Sequence, residues 1–87
     1  PDAAVFLDAD LAVLGAPEDE YRRYAAAIRC EYAWVPEDQY RRGRAEVLER
    51  FLGRERVYRT PRMFDALEHR ARANLRAEVE ELRGPAT

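Results

Sequence analysis

Lysine is absent from the 87-residue chain, so all fifteen of its positive charges belong to arginine. Lysine-based catalysis is therefore excluded, whereas bidentate binding of phosphate or carboxylate by arginine is not. Seventeen acidic residues leave a net charge of −2, and such a chain lacks the basic footprint of a nucleic-acid-binding domain. We therefore expect no nucleic-acid partner.

Cysteine and long apolar runs are also scarce. The single cysteine, Cys30, has no partner for an internal disulfide, which fits a reducing compartment, and we expect it to be a small space-filling residue. No apolar run approaches the roughly 20 residues of a membrane span, and no signal peptide is visible. These absences predict a cytoplasmic protein with no membrane partner. Because the chain begins at Pro1 rather than methionine, we expect it to be a processed product or a piece of something longer.

The most continuous apolar stretch is AAVFLDADLAVLG, residues 3–15, which contains Asp8 and Asp10. Periodicity does not separate a helix from a buried strand in so short a run; we favour a helix, with Gly15 as its left-handed C-terminal cap. A carboxylate taken out of water needs a cation, a metal or several donors. On a helix the two acids point to different sides, so one enters a site and the other caps, pairs or faces water. The alternative is that both are structural.

The rest of the chain predicts three amphipathic helices. We expect them over residues 17–35, 36–53 and 61–83, with residues 54–60 as a connector. Their buried faces comprise Tyr21, Tyr24, Ala25, Ile28 and Tyr32, then Tyr40, Arg44, Val47, Leu48, Phe51 and Leu52, then Phe64, Leu67, Ala71, Leu75 and Leu82. Trp34 is expected to anchor a helix end to the core, and Gly43 to mark a close helix contact. The whole chain, 1–87, is thus predicted to be a single all-α domain, an orthogonal bundle of about four helices.

Arginine and tyrosine on the two middle helices offer a second candidate site. Arg29 lies near Tyr32, and Tyr40 lies four residues before Arg44, at spacings that make neighbours on a helix surface. Two guanidinium groups and two phenols bordering one pocket would suit a phosphate. The alternative is that the tyrosine rings fill the core, with their hydroxyls at its rim, and that the arginines pair with Glu31, Glu37 or Glu46. His69, the only histidine, is expected to be exposed.

Several sequence blocks, taken in order, resemble a known family. They are FLDADLAVLG (6–15), IRCEY (28–32), YRRGR (40–44), VLERFL (47–52) and VYRT (57–60). Together they look like the C-terminal half of a bacterial group of predicted metal-dependent phosphohydrolases of the HD-domain superfamily. The resemblance covers roughly residues 3–80.

The resemblance implies an all-helical protein that holds a divalent metal through a histidine, an adjacent His-Asp pair and a later aspartate, and that hydrolyses phosphate esters. Asp10 matches the later aspartate, whereas the other ligands would lie upstream of Pro1. The resemblance therefore implies that this chain alone is inactive and binds no metal tightly. In the complete protein, a phosphorylated small molecule would be the substrate, with Arg29, Tyr32 and Arg44 as candidates to bind it.

Two further hypotheses come from the same stretch. VFLDADL also resembles the first motif of haloacid-dehalogenase-like phosphatases, but that family needs a catalytic lysine and a sheet, and this chain has no lysine. A non-catalytic alternative is a helical interaction module. Because loss of upstream helices would expose the apolar face of residues 3–14, we also expect a homo-oligomer.

Overall fold

The computed structural model describes residues 8–84, and the regular structure in that range is entirely helical. A 3₁₀ helix over Asp8–Gly15 is followed by α1 (Glu18–Glu31), α2 (Glu37–Leu52) and α3 (Pro61–Arg83). The predicted all-α bundle of about four helices is confirmed. Residues 8–15 are helical rather than strand-like, while residues 3–7 of the predicted first helix lie outside the described range.

The 3₁₀ helix buries a line of residues spaced three apart. Asp8, Leu11 and Leu14 are all buried, as expected for three residues per turn. Gly15 belongs to this helix and has a negative φ, so its predicted left-handed cap is wrong; of the described glycines only Gly84 has a positive φ. Gly15 is instead required by space, because a Cβ there would lie 2.7 Å from the Cβ of Leu67.

Side chains of α3 satisfy the last carbonyls of the 3₁₀ helix. The side-chain amide of Asn74 donates to the carbonyls of Leu14 and Ala16, both at 2.9 Å, and Arg70 donates to the carbonyl of Gly15 at 2.7 Å. A buried helix end needs such partners, since no N–H group of the helix itself donates to its last carbonyls. These bonds fix the 3₁₀ helix against the middle of α3.

Helix α1 is shorter than predicted and ends at Glu31 rather than near Val35. Pro36 precludes helix at the residue before it, and the chain uses the intervening residues to turn toward α2. The guanidinium of Arg29 donates to the carbonyls of Tyr32 and Val35, which closes this turn. Only Tyr21 of α1 is buried.

Helix α2 turns a slightly different face inward from the one its apolar spacing predicts. Tyr40, Ala45 and Leu48 are buried, whereas Val47 is 40% exposed, so the prediction that Val47 is buried is wrong. Gly43 is exposed, and a Cβ there would meet nothing within 4 Å. The predicted close contact at Gly43 is therefore also wrong.

Helix α3 begins and ends where the sequence indicates. Thr60 accepts a hydrogen bond from the backbone N–H of Met63, Pro61 occupies the first turn, and the helix ends at Arg83 before Gly84. The predicted residues Ala71 and Leu75 are fully buried. The core also contains three polar residues of α3 that the apolar pattern passes over: Glu68, Asn74 and Glu78.

The connector between α2 and α3 is part of the core rather than a surface loop. Val57 and Tyr58 are almost completely buried, and Glu68 accepts hydrogen bonds from both of their backbone N–H groups. Arg72 donates to Glu68 and to carbonyls at the end of α2 and in the connector. Non-helical backbone is tolerated inside a protein when its polar groups are paired in this way. Among residues 8–84, no helix combines the length and apolar character needed to cross a membrane.

Candidate functional site

Asp8 is a buried carboxylate that joins the 3₁₀ helix to the start of α3. One of its oxygens accepts a hydrogen bond from the backbone N–H of Arg59 at 2.9 Å. The other accepts from the N–H of Thr60 at 2.7 Å and from its hydroxyl at 2.8 Å. The backbone N–H groups of Arg59 and Thr60 hold the pKa of Asp8 below its usual range, because bonds to the charged form favour it. Asp8 therefore orders the chain that leads into α3.

Asp10, the predicted metal ligand, lies on the surface of the bundle. The expectation that it is an acid withdrawn from water is wrong, because the buried line of the 3₁₀ helix runs through Asp8 and Leu11 and bypasses Asp10. Within residues 8–84, the side chain of Asp10 makes no hydrogen bond and no ion pair. Its carboxylate is thus available to a partner, and its role as a metal ligand stays a prediction.

Other potential metal ligands are not gathered near Asp10. In the described part of the chain, no three His, Cys, Asp or Glu side chains are grouped so as to hold a metal ion. His69 is exposed on α3, as predicted. Cys30 is exposed on α1, so its predicted space-filling role is wrong. A catalytic metal site takes about three protein ligands, and the described residues by themselves do not supply them.

Arg44, a predicted substrate-binding residue, is engaged in a buried cluster between α1, α2 and α3. Its guanidinium binds both oxygens of Glu78, at 2.9 and 3.2 Å, and the two side chains are only 11% and 10% exposed. The hydroxyl of Tyr21 donates to the same carboxylate. Burial opposes charge on Arg44, but Glu78 outweighs it and raises the pKa of the guanidinium. Glu78 therefore occupies the edge of the guanidinium, Nε and Nη2, at which a phosphate would bind through two hydrogen bonds.

Arg29 is also committed to contacts inside the protein. Besides closing the turn after α1, it pairs with Glu37 at 3.1 Å and lies over the ring of Tyr40, 4.4 Å from the ring centroid. Arg41 and Arg29 together lower the pKa of Glu37, and the hydrogen bond from Arg41 is the larger cause. The predicted alternative, in which Arg29 pairs with Glu37, is the arrangement observed.

Tyr32 is brought near neither Arg44 nor the core. It is 46% exposed and stands beside Trp34, which is 78% exposed, with their ring centroids 6.3 Å apart. Tyr32 is therefore not part of a buried stripe, and the prediction that Trp34 anchors a helix end to the core is wrong. The exposed turn between α1 and α2 is held by Arg29, which donates hydrogen bonds to the carbonyls of Tyr32 and Val35.

A groove of about 500 Å³ lies between α1, the start of α2 and the second half of α3. Its charged lining consists of Glu18, Glu37, Glu78 and Glu81 together with Arg22, Arg29 and Arg41, and its remaining lining is Tyr21, Ala25, Ala26, Tyr40, Ala73, Asn74, Ala77 and Leu82. The three arginines are already paired with acids of the groove, Arg22 with Glu18 and Glu81, and Arg29 and Arg41 with Glu37, so a phosphate there would compete with these carboxylates. Of the three predicted substrate-binding residues, only Arg29 lines this groove.

Positive charge without carboxylate partners occurs elsewhere, at the start of α3. Arg56, Arg59 and Arg62 are exposed, and none forms an ion pair with an acid in residues 8–84. We call these three residues the arginine cluster. The sequence signal that could have found it is the composition of residues 54–62, which hold four arginines and one glutamate.

No protein-family model, curated protein or solved structure matches this chain.

Proposed function

We propose that this chain is the C-terminal helical half of a metal-dependent phosphohydrolase of the HD-domain superfamily, and that it contributes Asp10 to a metal site completed by upstream residues. The contrast between the two acids of the first helix carries the proposal. Asp8 is fully used by three hydrogen bonds, whereas Asp10, at the position that matches the family's later aspartate, is exposed and unpaired within residues 8–84.

Two further observations support the proposal. The sequence blocks occur in the order that the resemblance requires, and the described chain is all-helical. Because a single carboxylate cannot hold a catalytic metal, no step of ester hydrolysis is assigned to this chain alone. Its contribution is a rigid scaffold that presents one carboxylate, since Asp8 fixes the 3₁₀ helix next to Asp10.

The test begins with the gene. We expect the reading frame upstream of Pro1 to encode a histidine and an adjacent His-Asp pair. The full-length product should hydrolyse p-nitrophenyl phosphate in the presence of Mn²⁺. Asp10→Asn should lower its metal content and its kcat/KM at least about tenfold, as loss of supporting ligands does in metal sites.

Asp65→Asn is the matched control, since Asp65 is an exposed aspartate on α3 with no hydrogen bond or ion pair in the described residues. It should leave metal content and activity unchanged. An upstream frame without these histidines, or equal behaviour of the two variants, would overturn the proposal. Calorimetric titration of the 87-residue chain should show no stoichiometric Mn²⁺ binding; tight binding lost in Asp10→Asn would refute the claim that the site needs upstream residues.

A second candidate function, a self-associating helical module, is favoured by the exposed aromatic pair Tyr32 and Trp34. Tryptophan and tyrosine dominate binding energy at protein interfaces, and this pair sits on a turn that Arg29 already holds rigid, which lowers the cost of ordering it on binding. In contrast, the apolar face expected to drive oligomerisation is partly used inside the bundle, since Leu11 and Leu14 are buried.

Sedimentation velocity over a range of concentrations tests this candidate. Wild type should form a dimer, and Trp34→Ala should weaken the dimer at least about tenfold, a loss of roughly 1.4 kcal/mol. His69→Ala is the control, since it removes an exposed ring from α3, and it should dimerise as wild type does. A wild-type chain that stays monomeric at high concentration would rule out this function.

A further inference from the structure

The arginine cluster, Arg56, Arg59 and Arg62, surrounds the start of α3. Arg59 directly precedes the N-cap residue Thr60, and Arg62 lies in the first turn. The guanidinium of Arg56 reaches the same place, because it lies over the ring of Phe64 at 4.4 Å from the centroid. Three side chains from the connector and the helix therefore place positive charge at one end of α3.

No carboxylate within residues 8–84 is ion-paired with the cluster, and Asp8, whose pKa the charge of Arg59 helps to lower, is already bound by backbone N–H groups. None of the three guanidinium groups forms an ion pair there, and the first turn of α3 contains no acidic residue. The other candidates differ in this respect, since Arg29 is paired with Glu37 and Arg44 with Glu78. An incoming anion at the arginine cluster would thus displace no carboxylate of the described chain.

Asp8 joins the cluster to the 3₁₀ helix that carries Asp10. Its carboxylate binds the backbone N–H groups of Arg59 and Thr60, and Asp10 follows two residues later on the same 3₁₀ helix, about 4 Å along its axis. The charge of Arg59 also contributes to the lowered pKa of Asp8, after the hydrogen bonds from the Arg59 and Thr60 backbone. Asp8 therefore fixes the backbone under the arginine cluster, whereas Asp10 points to a different side of the 3₁₀ helix.

We propose that the arginine cluster, led by Arg59 and Arg62, binds the phosphate group of a phosphorylated small molecule. Guanidinium groups bind phosphate oxygens through paired, charge-assisted hydrogen bonds. The inference rests on the proposed function for the class of ligand, and it replaces Arg29 and Arg44 as the phosphate-binding residues. A small molecule is favoured over nucleic acid because the chain as a whole carries a net charge of −2, whereas nucleic acid affinity comes from many phosphate contacts.

Nuclear magnetic resonance titration of the 87-residue chain with pyrophosphate, at about 0.15 M salt to screen weak contacts, tests the proposal. We expect saturable shifts at the backbone amides of residues 56–64. Arg59→Gln combined with Arg62→Gln should weaken binding at least about tenfold. The control pair, Arg42→Gln with Arg50→Gln, removes the same charge from exposed arginines of α2 that form no ion pair in the described range, and it should bind as wild type.

Equal weakening in the two double variants, or shifts scattered over the surface, would overturn the proposal because they indicate general charge screening. Tighter, cluster-dependent binding of a single-stranded RNA or of phosphatidylserine vesicles would also overturn it, since the partner would then be a polymer or a membrane. Thermal unfolding of each variant checks that the fold is retained.

The outcome is independent of the metal proposal. Asp10→Asn should bind pyrophosphate at least as tightly as wild type does, because it removes negative charge and Asp10 is not ion-paired with the cluster. If the upstream frame encodes no such histidines, the metal proposal fails and the result of the pyrophosphate titration is unaffected. If the titration fails, the phosphate proposal fails and the metal test is unaffected.

Discussion

At the scale of single residues, glycine is required for space at Gly15 and not at Gly43. A Cβ on Gly15 would lie 2.7 Å from Leu67 Cβ and 3.1 Å from the hydroxyl of Tyr58, whereas a Cβ on Gly43 meets nothing within 4 Å. Contacts below 3 Å force one side to move, and the neighbours of Gly15 are themselves packed. Alanine substitution at these two positions therefore compares the cost of overpacking with the gain in helix propensity.

We expect Gly15→Ala to lower the free energy of unfolding by about 1–3 kcal/mol, the usual cost of overpacking. Gly43→Ala, in the middle of α2, should raise it by about 0.5–1 kcal/mol, because alanine is the better helix former and loses less entropy on folding. Urea denaturation monitored by circular dichroism gives both values. A neutral Gly15→Ala would show that α3 can move away from the 3₁₀ helix at no cost.

At the scale of the elements, α1 is the helix held least firmly by the core. It buries only Tyr21 among its fourteen residues, whereas α3 buries five residues. Two polar contacts tie it to α3, a buried hydrogen bond from Tyr21 to Glu78 and a surface ion pair between Arg22 and Glu81. Regions with few buried apolar contacts open more readily than the rest of a fold.

Hydrogen exchange should therefore be faster in α1 than in the middle of α3. Tyr21→Phe removes the hydroxyl that donates to Glu78 and should cost about 1 kcal/mol, with the extra exchange confined to α1. Tyr32→Phe is the control, since the exposed Tyr32 lies outside α1 and has no side-chain hydrogen bond in the described range. If Tyr21→Phe instead accelerated exchange throughout α3, the three helices would open as one unit.

At the scale of the whole molecule, carboxylates paired in the native state make stability depend on pH. Burial alone would raise the pKa of Glu68, but the N–H groups of Val57 and Tyr58, with Arg72, outweigh it and lower that pKa. The pKa of Asp8 is also lowered, by the N–H groups of Arg59 and Thr60. A group whose native pKa lies below its unfolded value binds fewer protons when folded, so stability rises with pH.

We expect the free energy of unfolding to be highest above the unfolded-state pKa values, about 4 for these groups, and to fall as the pH drops through the lower native values. Glu68→Gln should cost about 2 kcal/mol at pH 7, since it removes charge-assisted bonds, and should flatten the fall below pH 4. The exposed Glu80→Gln should do neither. Urea midpoints at pH 7 and pH 3 test this, and parallel curves for wild type and Glu68→Gln would contradict it.

The helical class of the fold, the N-cap at Thr60 and the end of α3 at Arg83 could be predicted from the sequence, because they depend on local chemistry: spacing of apolar residues, a capping hydroxyl and a proline in the first turn. The exposure of His69 belongs to the same group. These features do not depend on which residues pack against them in the folded chain.

Tertiary structure alone decided which charges are neutralised and which remain free. Asp8 and Asp10 differ because three hydrogen-bond donors from a segment some fifty residues away reach one carboxylate and not the other. Glu78 reaches Arg44 from another helix, while Arg59 and Arg62 form no ion pair in the described chain. Ion pairing depends on distance in space, which the order of residues along a chain does not contain.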